Sequence, residues 1–421
     1  MNPNKPLALL GGLTPTQFMK TYWQRKPLVI RQAFAGFKPP VSAAALKKMS
    51  RRDDVESRLV WREKGHWQMD RGPFARLPKA SEPDWSLLVQ SVDIQDDAAC
   101  ALMNQFRFVP DARLDDLMIS LATLGGGVGP HFDSYDVFLL QGQGRRRWQI
   151  SQQRDLTLIP DLSLKILQNF IPEEEFVLDP GDMLYLPPQA AHDGVALDND
   201  CMTISIGFRA PDQAALARGM LEAAADQIVA RAGLASGPYG EPPLPGPKLD
   251  ALYRDAGQHA SAHPAEIPDG LIDAAVQAVS KIQFNAALAQ RFLGCWMTEP
   301  NQAAVFDSDY GDDGDHSNDS GDGDIDGDTM RDGKSDNAVA QNQDAPFTHW
   351  ALDRRTRMLY CGKHLFINGE VAPVVAEAGL KILADARELS GADPAAQKLT
   401  PEAVDTLTEW LSAGWIHLVR R

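Results

Sequence analysis

Between Asp115 and Ala210 the chain is written in short apolar or alternating runs: LMISLATL, DVFLLQG, RRWQI, EFVLD, MLYLP and CMTISIGF. Gly, Pro and Asp separate them every few residues. Runs this short cannot form helices that bury a useful face, whereas many short strands joined by turns build a sandwich or barrel. The centre of the protein is therefore predicted to be all-β. The first hundred residues are mixed, with helices expected to pack against that core. Residues 15–34, TPTQFMKTYWQRKPLVIRQA, read as a helix and then a short apolar strand, Pro27 to Ile30, where the proline stops the helix. After Pro211 the pattern turns helical. Residues 212–235 and 270–293 are rich in Ala and Leu at helical spacing, with the Pro/Gly-rich GPYGEPPLPGPKL between them. From Thr348 onward, strand-like MLYCGKHLFING, two helical patterns and WIHLV predict a small winged-helix-like domain.

The net charge of −16 describes one segment more than the whole. Asp307 to Asp344 carries thirteen Asp, no Glu, one Arg and one Lys, a balance of −11 that leaves −5 for the rest. That segment has too little apolar surface to offset its ordering entropy and is predicted to be a disordered linker. Asp322-Gly-Asp-Ile-Asp326-Gly327-Asp328 matches the first half of a calcium loop. Gly333 stands where such a loop needs a bidentate Glu, so a solvated tether is the expectation. No apolar run reaches the length of a membrane span. The opening MNPNKPLALLGGLTPTQF has neither a basic leader nor a cleavage site, and a cytoplasmic location is expected. Cys100, Cys201, Cys295 and Cys361 lie far apart without a C-x-x-C pair and are expected to be buried free thiols.

The strongest chemical signal is Gly125-Gly-Gly-Val-Gly-Pro-His131-Phe132-Asp133. In an extended strand residues i and i+2 point to one side, so His131 and Asp133 can grip one ion. A second signal is PGDMLYLPPQAAH, which places His192 at the head of the next strand. A barrel brings the start of one strand beside the end of another, so two imidazoles and one carboxylate converge. That set leaves three open positions and suits non-haem Fe(II); catalytic zinc also accepts it, but no H-E-x-x-H is present. Arg145-Arg146-Arg147 separates the alternatives. Alternation puts Arg146 on one face with Trp148 and Ile150, and an arginine on an apolar face calls for a carboxylate partner. The distal carboxylate of 2-oxoglutarate is such a partner. Oxidative decarboxylation to succinate and CO₂ with O₂ would then drive a hydroxylation.

These residues also carry a family resemblance. GGGVGPHFDSYDVFLLQGQGRRRWQI, PGDMLYLPP…H and SIGFRAP resemble the bacterial ribosomal oxygenases of the JmjC/cupin superfamily, as does FMKTYWQRKPLVIRQAF near the start. The resemblance implies an α+β chain: a double-stranded β-helix of jelly-roll/cupin, JmjC type over residues 1–211, a helical dimerisation region over 212–300, the acidic linker over 301–346 and a winged-helix-like domain over 347–421. It implies Fe(II) held by His131, Asp133 and His192, 2-oxoglutarate held by Arg146 with help from Ser120, and O₂ as oxidant. Thr203 falls where close relatives carry asparagine, so its contact with the co-substrate is open. Tyr135 and Asp136 either meet the substrate or belong to the barrel rim. The implied substrate is an arginine of ribosomal protein L-sixteen, with histidine hydroxylation or demethylation as neighbouring chemistries. A homodimer is implied as well. Outside the family, a non-oxidative metal-dependent cupin or a non-catalytic assembly factor are the alternatives. The last helix, PEAVDTLTEWLSAG, has no basic face, so sequence-specific nucleic-acid binding is not expected.

Overall fold

The computed structural model describes residues 2–307 and 348–420. Eleven strands lie in the first half: β1 Leu28–Ile30, β2 Ser57–Glu63, β3 His66–Arg71, β4 Trp85–Val89, β5 Leu114–Ala122, β6 Val137–Gln143, β7 Arg146–Ser151, β8 Glu174–Leu178, β9 Met183–Leu186, β10 Ala191–Ala196 and β11 Cys201–Phe208. They form an eight-stranded sheet in the order β1-β9-β6-β11-β5-β4-β2-β3 and a smaller sheet, β10-β7-β8. The pairings are antiparallel throughout. This is the expected double-stranded β-helix.

The period-2 alternation divides the large sheet into two unlike faces. On β11, Met202, Ile204, Ile206 and Phe208 enter the main apolar core, while Thr203, Ser205 and Gly207 line a cavity between the sheets. On β5, Leu117, Ile119 and Leu121 take the core side, and Asp116, Met118 and Ser120 the cavity side. The core therefore lies outside the barrel. It is closed by helices α1 Pro15–Thr21, α2 Ala43–Met49 and α3 Asp97–Met103, which contribute Phe18, Leu46 and Leu102. Thr14 and Gln17 cap α1 reciprocally, at 3.1 and 2.9 Å. The barrel interior is left free for polar chemistry.

The sequence understated the sheet. Strands β2, β3 and β4 extend it at one edge, in the region expected to be mixed, with no individual strand foreseen there. β2 and β3 are joined by Lys64-Gly65, both at positive φ (50° and 84°), the two-residue turn that matches strand twist.

Helices α4 Gln213–Arg231, α5 Asp269–Ser280 and α6 Ala286–Thr298 come next. The helical pattern over 270–293 is realised as two helices, because Asn285 turns its side chain onto the Leu288 amide (3.0 Å) and starts a new helix there. α4 meets α6 closely: a Cβ on Gly219 would lie 2.1 Å from the Phe292 ring. α5 buries none of its residues, and Leu271, Ile272, Val276 and Val279 are exposed.

The last part contains β12 Thr348–Leu352, β13 Met358–Cys361, β14 His364–Ile367, β15 Glu370–Val371, α7 Ala378–Ala386, β16 Glu388–Ser390, α8 Pro401–Ser412 and β17 Ile416–Arg420. Its two small sheets, β16-β12-β17 and β13-β14-β15, surround a core of its own that includes Leu365, Leu380, Leu407 and Trp410. The strand–helix–helix–strand order is as expected. Among the cysteines, Cys201 and Cys295 are buried, Cys100 is half-buried, and Cys361 is exposed on β13, against the expectation that all four are buried. β13 pairs on one side only, with β14, so part of the strand faces solvent. Most of the acidic linker and the whole calcium-loop-like run lie outside the described residues. Among the described residues, no helix is long and apolar enough to cross a membrane.

Candidate metal centre and co-substrate pocket

The loop before His131 threads between the two sheets. A Cβ on Gly127 would fall 2.5 Å from the Gly194 carbonyl oxygen, and Gly129 adopts φ +80°, so both positions favour glycine on physical grounds. The chain then enters a reciprocal bridge. The His131 N–H donates to the His192 carbonyl at 2.9 Å and the His192 N–H to that of His131 at 2.8 Å. Paired this way, the two rings stand 4.2 Å apart. Asp133, two residues on, brings Oδ2 to 3.8 Å from His192 Nε2. Ligand atoms of the three residues lie within 4.8 Å of one another.

The tautomers are set by the backbone. His131 Nδ1 is 2.8 Å from the Gly129 carbonyl and His192 Nδ1 is 2.9 Å from that of Ala190. Each Nδ1 therefore carries the proton, and each Nε2 presents a lone pair. Burial, aided by His131, pushes the His192 pKa down to about 4, against the pull of Asp133. A neutral imidazole is what a metal requires.

All six side chains singled out from the sequence, His131, Asp133, His192, Arg146, Ser120 and Thr203, line one cavity of about 380 Å³. Arg146 decides its chemistry. The residue is 4% exposed, its Nη1 donates to the Gly194 carbonyl at 3.1 Å, and its Nε and Nη2 have no partner among the described residues. Its guanidinium rests 5.7 Å from the Trp148 ring centroid. Two further buried donors without partners face the same cavity, Trp148 Nε1 and Ser86 Oγ. Buried donors left open cost stability unless a ligand takes them. Ser120 Oγ reaches the Thr203 carbonyl only at 3.4 Å. The Thr203 hydroxyl donates to Gln141 Oε1 at 3.2 Å, so its proton is already used.

Trp148 and Ser86 were not singled out from the sequence. Trp148 shares the face of Arg146, and that alternation was the available signal; nothing local distinguishes Ser86. Of the two places left open for Asp136, substrate contact or barrel rim, the structure gives it an internal, structural one. It is fully buried, accepts from Tyr185 Oη at 2.7 Å and Gln24 Nε2 at 3.0 Å, and pairs with Arg113. It anchors the segment after α1. Tyr135, its neighbour in sequence, is 40% exposed at the mouth of the cavity.

The mouth opens into a groove of about 1080 Å³, sharing the walls Arg58, Gln90, Asp116 and Tyr135 with the metal cavity. Asp53, Glu56, Asp115 and Glu299 line it. Asp116 stands at the junction, its Oδ2 accepting from Gln90 Nε2 at 2.6 Å and from the Ser91 N–H at 3.0 Å. Behind it, Asp93 accepts from the Leu117 N–H at 2.8 Å, and burial, then Asp116, push its carboxyl up from 3.8 to about 7. The folded protein thus holds this proton more tightly than the unfolded chain. The corresponding stability is whole below about pH 4 and is lost as pH rises through about 7, roughly 4 kcal/mol in all. Asp93→Asn keeps an acceptor for Leu117 and should flatten that decline. Urea unfolding at both ends of this window checks it; an unchanged slope would clear Asp93 as the source.

The fold and this donor set define a double-stranded β-helix protein with a candidate mononuclear metal centre. The JmjC domain family matches residues 101–216, and the ROXA-like winged helix family matches residues 281–417. More particularly, the chain is similar to the "Ribosomal protein uL16 3-hydroxylase" of Escherichia coli, 42% identical over 232 residues that span 54% of this chain and 60% of that protein. The "Probable ribosomal oxygenase" of Haemophilus influenzae is 38% identical over 216 residues, 49% of this chain and 52% of that protein. The matched stretch thus spans a little over half the length of these two relatives. Among solved structures, the E. coli ribosomal oxygenase YcfD in complex with cobalt and 2-oxoglutarate superposes with a TM-score of 0.68 at 27% identity, covering 96% of this chain and 98% of that one. An X-ray structure of the same E. coli protein gives a TM-score of 0.69, at 27% identity over 97% of this chain and 98% of that one.

Proposed function

We propose that this protein is an Fe(II)- and 2-oxoglutarate-dependent oxygenase that hydroxylates a ribosomal protein, on an arginine of the protein called uL16 in its E. coli relative's name. The observation that carries the reading is Arg146: a buried guanidinium without a carboxylate partner among the described residues, opening onto the same cavity as two imidazoles and a carboxylate. In this reading His131 and His192 hold the metal through Nε2, and Asp133 completes the set. Cobalt in the related YcfD structure stands in for iron and accompanies 2-oxoglutarate there. Bound together, iron and 2-oxoglutarate would activate O₂, one oxygen atom going to the substrate and the other to succinate, with CO₂ released.

The chain's own residues supply placement. Arg146 receives the distal carboxylate through Nε and Nη2, and Ser120, Ser86 and Trp148 Nε1 offer further donors to the bound acid. Thr203 is the weaker candidate, since its proton serves Gln141. A substrate side chain entering from the groove passes Asp116 and Tyr135. A half-buried carboxyl at the entrance matches a guanidinium better than a neutral imidazole, which favours arginine over histidine.

The division proposed with this function is a catalytic domain over 1–211, a helical region over 212–300, a linker over 301–346 and a winged-helix-like domain over 347–421. The bare apolar face of α5 supports self-association as a homodimer. Val276→Asp should then leave a monomer by sedimentation, and an unchanged mass would remove that face from the interface. A ribosomal protein substrate is in keeping with a cytoplasmic enzyme.

The test is anaerobic loading with Fe(II) and 2-oxoglutarate, then exposure to O₂ with purified ribosomal protein and mass spectrometry. One added oxygen on an arginine, with matching succinate, is the expected result. Succinate without a modified arginine would make the substrate wrong. No 2-oxoglutarate turnover under any condition would turn the reading to Lewis-acid chemistry or an assembly factor.

A further inference from the structure

Arg357 belongs to the C-terminal domain but ends in the catalytic one. Its backbone is fixed by a reciprocal pair with Asn368: the Arg357 N–H donates to Asn368 Oδ1 and the Asn368 N–H to the Arg357 carbonyl, both at 3.0 Å. From there the guanidinium crosses to β5. Nη1 donates to the Leu114 carbonyl at 3.3 Å and Nη2 to the Asp115 carbonyl. These are the first two residues of the strand, and the third is Asp116, the carboxyl shared by the groove and the metal cavity. Arg357 itself forms part of the groove wall.

A guanidinium can bridge two carbonyls because its N–H groups are fixed in one plane; a lysine ammonium cannot hold that geometry. Fixing two successive carbonyls fixes how the strand presents its next side chain. A second arginine holds the same strand end: Arg209 Nε reaches Asp115 Oδ1 at 3.2 Å. Burial pushes the Arg357 pKa down and Arg209 adds to that, while Asp93, Asp115 and Asp116 oppose it and offset part of the cost of burying the charge.

We propose that Arg357 is a positioning residue of the substrate site, setting the start of β5 so that Asp116 meets the incoming cationic side chain. The C-terminal domain is then a working wall of the groove as well as an appended module. This rests on the oxygenase reading above, in which Asp116 faces substrate.

Arg354 provides the control. It crosses the same domain boundary, to the Ile94 carbonyl and Asp97 at 2.9 Å each, without touching β5. Hydrogen exchange of residues 114–118 in the full-length protein tests the clamp without any substrate. Arg357→Ala should speed exchange there about tenfold while Arg354→Ala does not, as expected for losing charge-assisted bonds. With Fe(II), 2-oxoglutarate and the ribosomal protein, Arg357→Ala should raise KM for the protein substrate about tenfold, with kcat and the KM for 2-oxoglutarate within about twofold. Arg357→Lys should fall between, and it carries both measurements if the alanine variant does not fold. Unchanged exchange at 114–118, or an equal KM rise in Arg354→Ala, overturns the proposal. Faster exchange in a protein whose wild type hydroxylates nothing would instead overturn the oxygenase reading, and with it the role assigned to Arg357.

Discussion

Arg146→Met is expected to lower affinity for 2-oxoglutarate by about 10²–10³-fold and to raise the melting temperature of the ligand-free protein. Both effects have one cause. A guanidinium 4% exposed, with Nε and Nη2 unpartnered, is poised for an anion and is costly without one. Breaking a desolvated pair by removing one partner costs about 2–5 kcal/mol, and each 1.4 kcal/mol is roughly tenfold in affinity. Without ligand the same group has no carboxylate to pair with among the described residues, so an apolar side chain of similar length beside Trp148 gains roughly 1–4 kcal/mol. Calorimetric titration of 2-oxoglutarate onto the Mn(II)-loaded protein and thermal unfolding of the ligand-free protein check the two halves. Unchanged 2-oxoglutarate affinity would remove Arg146 from the site. Weaker binding with a lower melting temperature would mean that the arginine is structural after all.

His192→Ala should reduce metal affinity by more than about 100-fold, the upper range seen when only an outer partner of a ligand is lost. The fold should be little affected, because His192 contributes to the β bridge through its backbone and an alanine keeps both of those hydrogen bonds. Mn(II) binding followed by electron paramagnetic resonance, with circular dichroism as the fold control, separates the two effects. His131→Ala and Asp133→Ala should behave alike, since each removes one of only three donors. Retained metal affinity in any of the three would mean that the ion binds elsewhere. The acidic residues of the groove are then the first place to look.

Much of the site was legible because strand periodicity is a local property. H-x-D puts His131 and Asp133 on one side of an extended chain, and the alternation that set Arg146 with Trp148 and Ile150 is the alternation of their burial. The β core, the helical middle and the small C-terminal domain were legible for a similar reason: each carries its own period. The gaps fell where a local pattern was ambiguous. The apolar period over 270–293 continues across Asn285, but a capping side chain breaks the backbone there. Tyr135 and Asp136 are neighbours on opposite sides of a strand entrance, and sequence could not say which one faces inward. Cys361, isolated from the other cysteines in sequence, was expected to be a buried thiol, yet its strand pairs on one side only.

Sequence by itself thus determined which residue types are spaced to share a face, and with them the class of fold and the candidate donor set. Tertiary structure alone decided which of those faces meet. It turned the outer side of the large sheet into the core and left the inside to Arg146, Ser86 and Trp148. It gave Asp116 its place between cavity and groove, and it carried Arg357 across to β5 from more than two hundred residues away in the chain. The physical reason is that periodicity is written in neighbouring residues. Whether a buried donor finds a partner depends on strands that are distant in sequence and adjacent only once the sheets have closed.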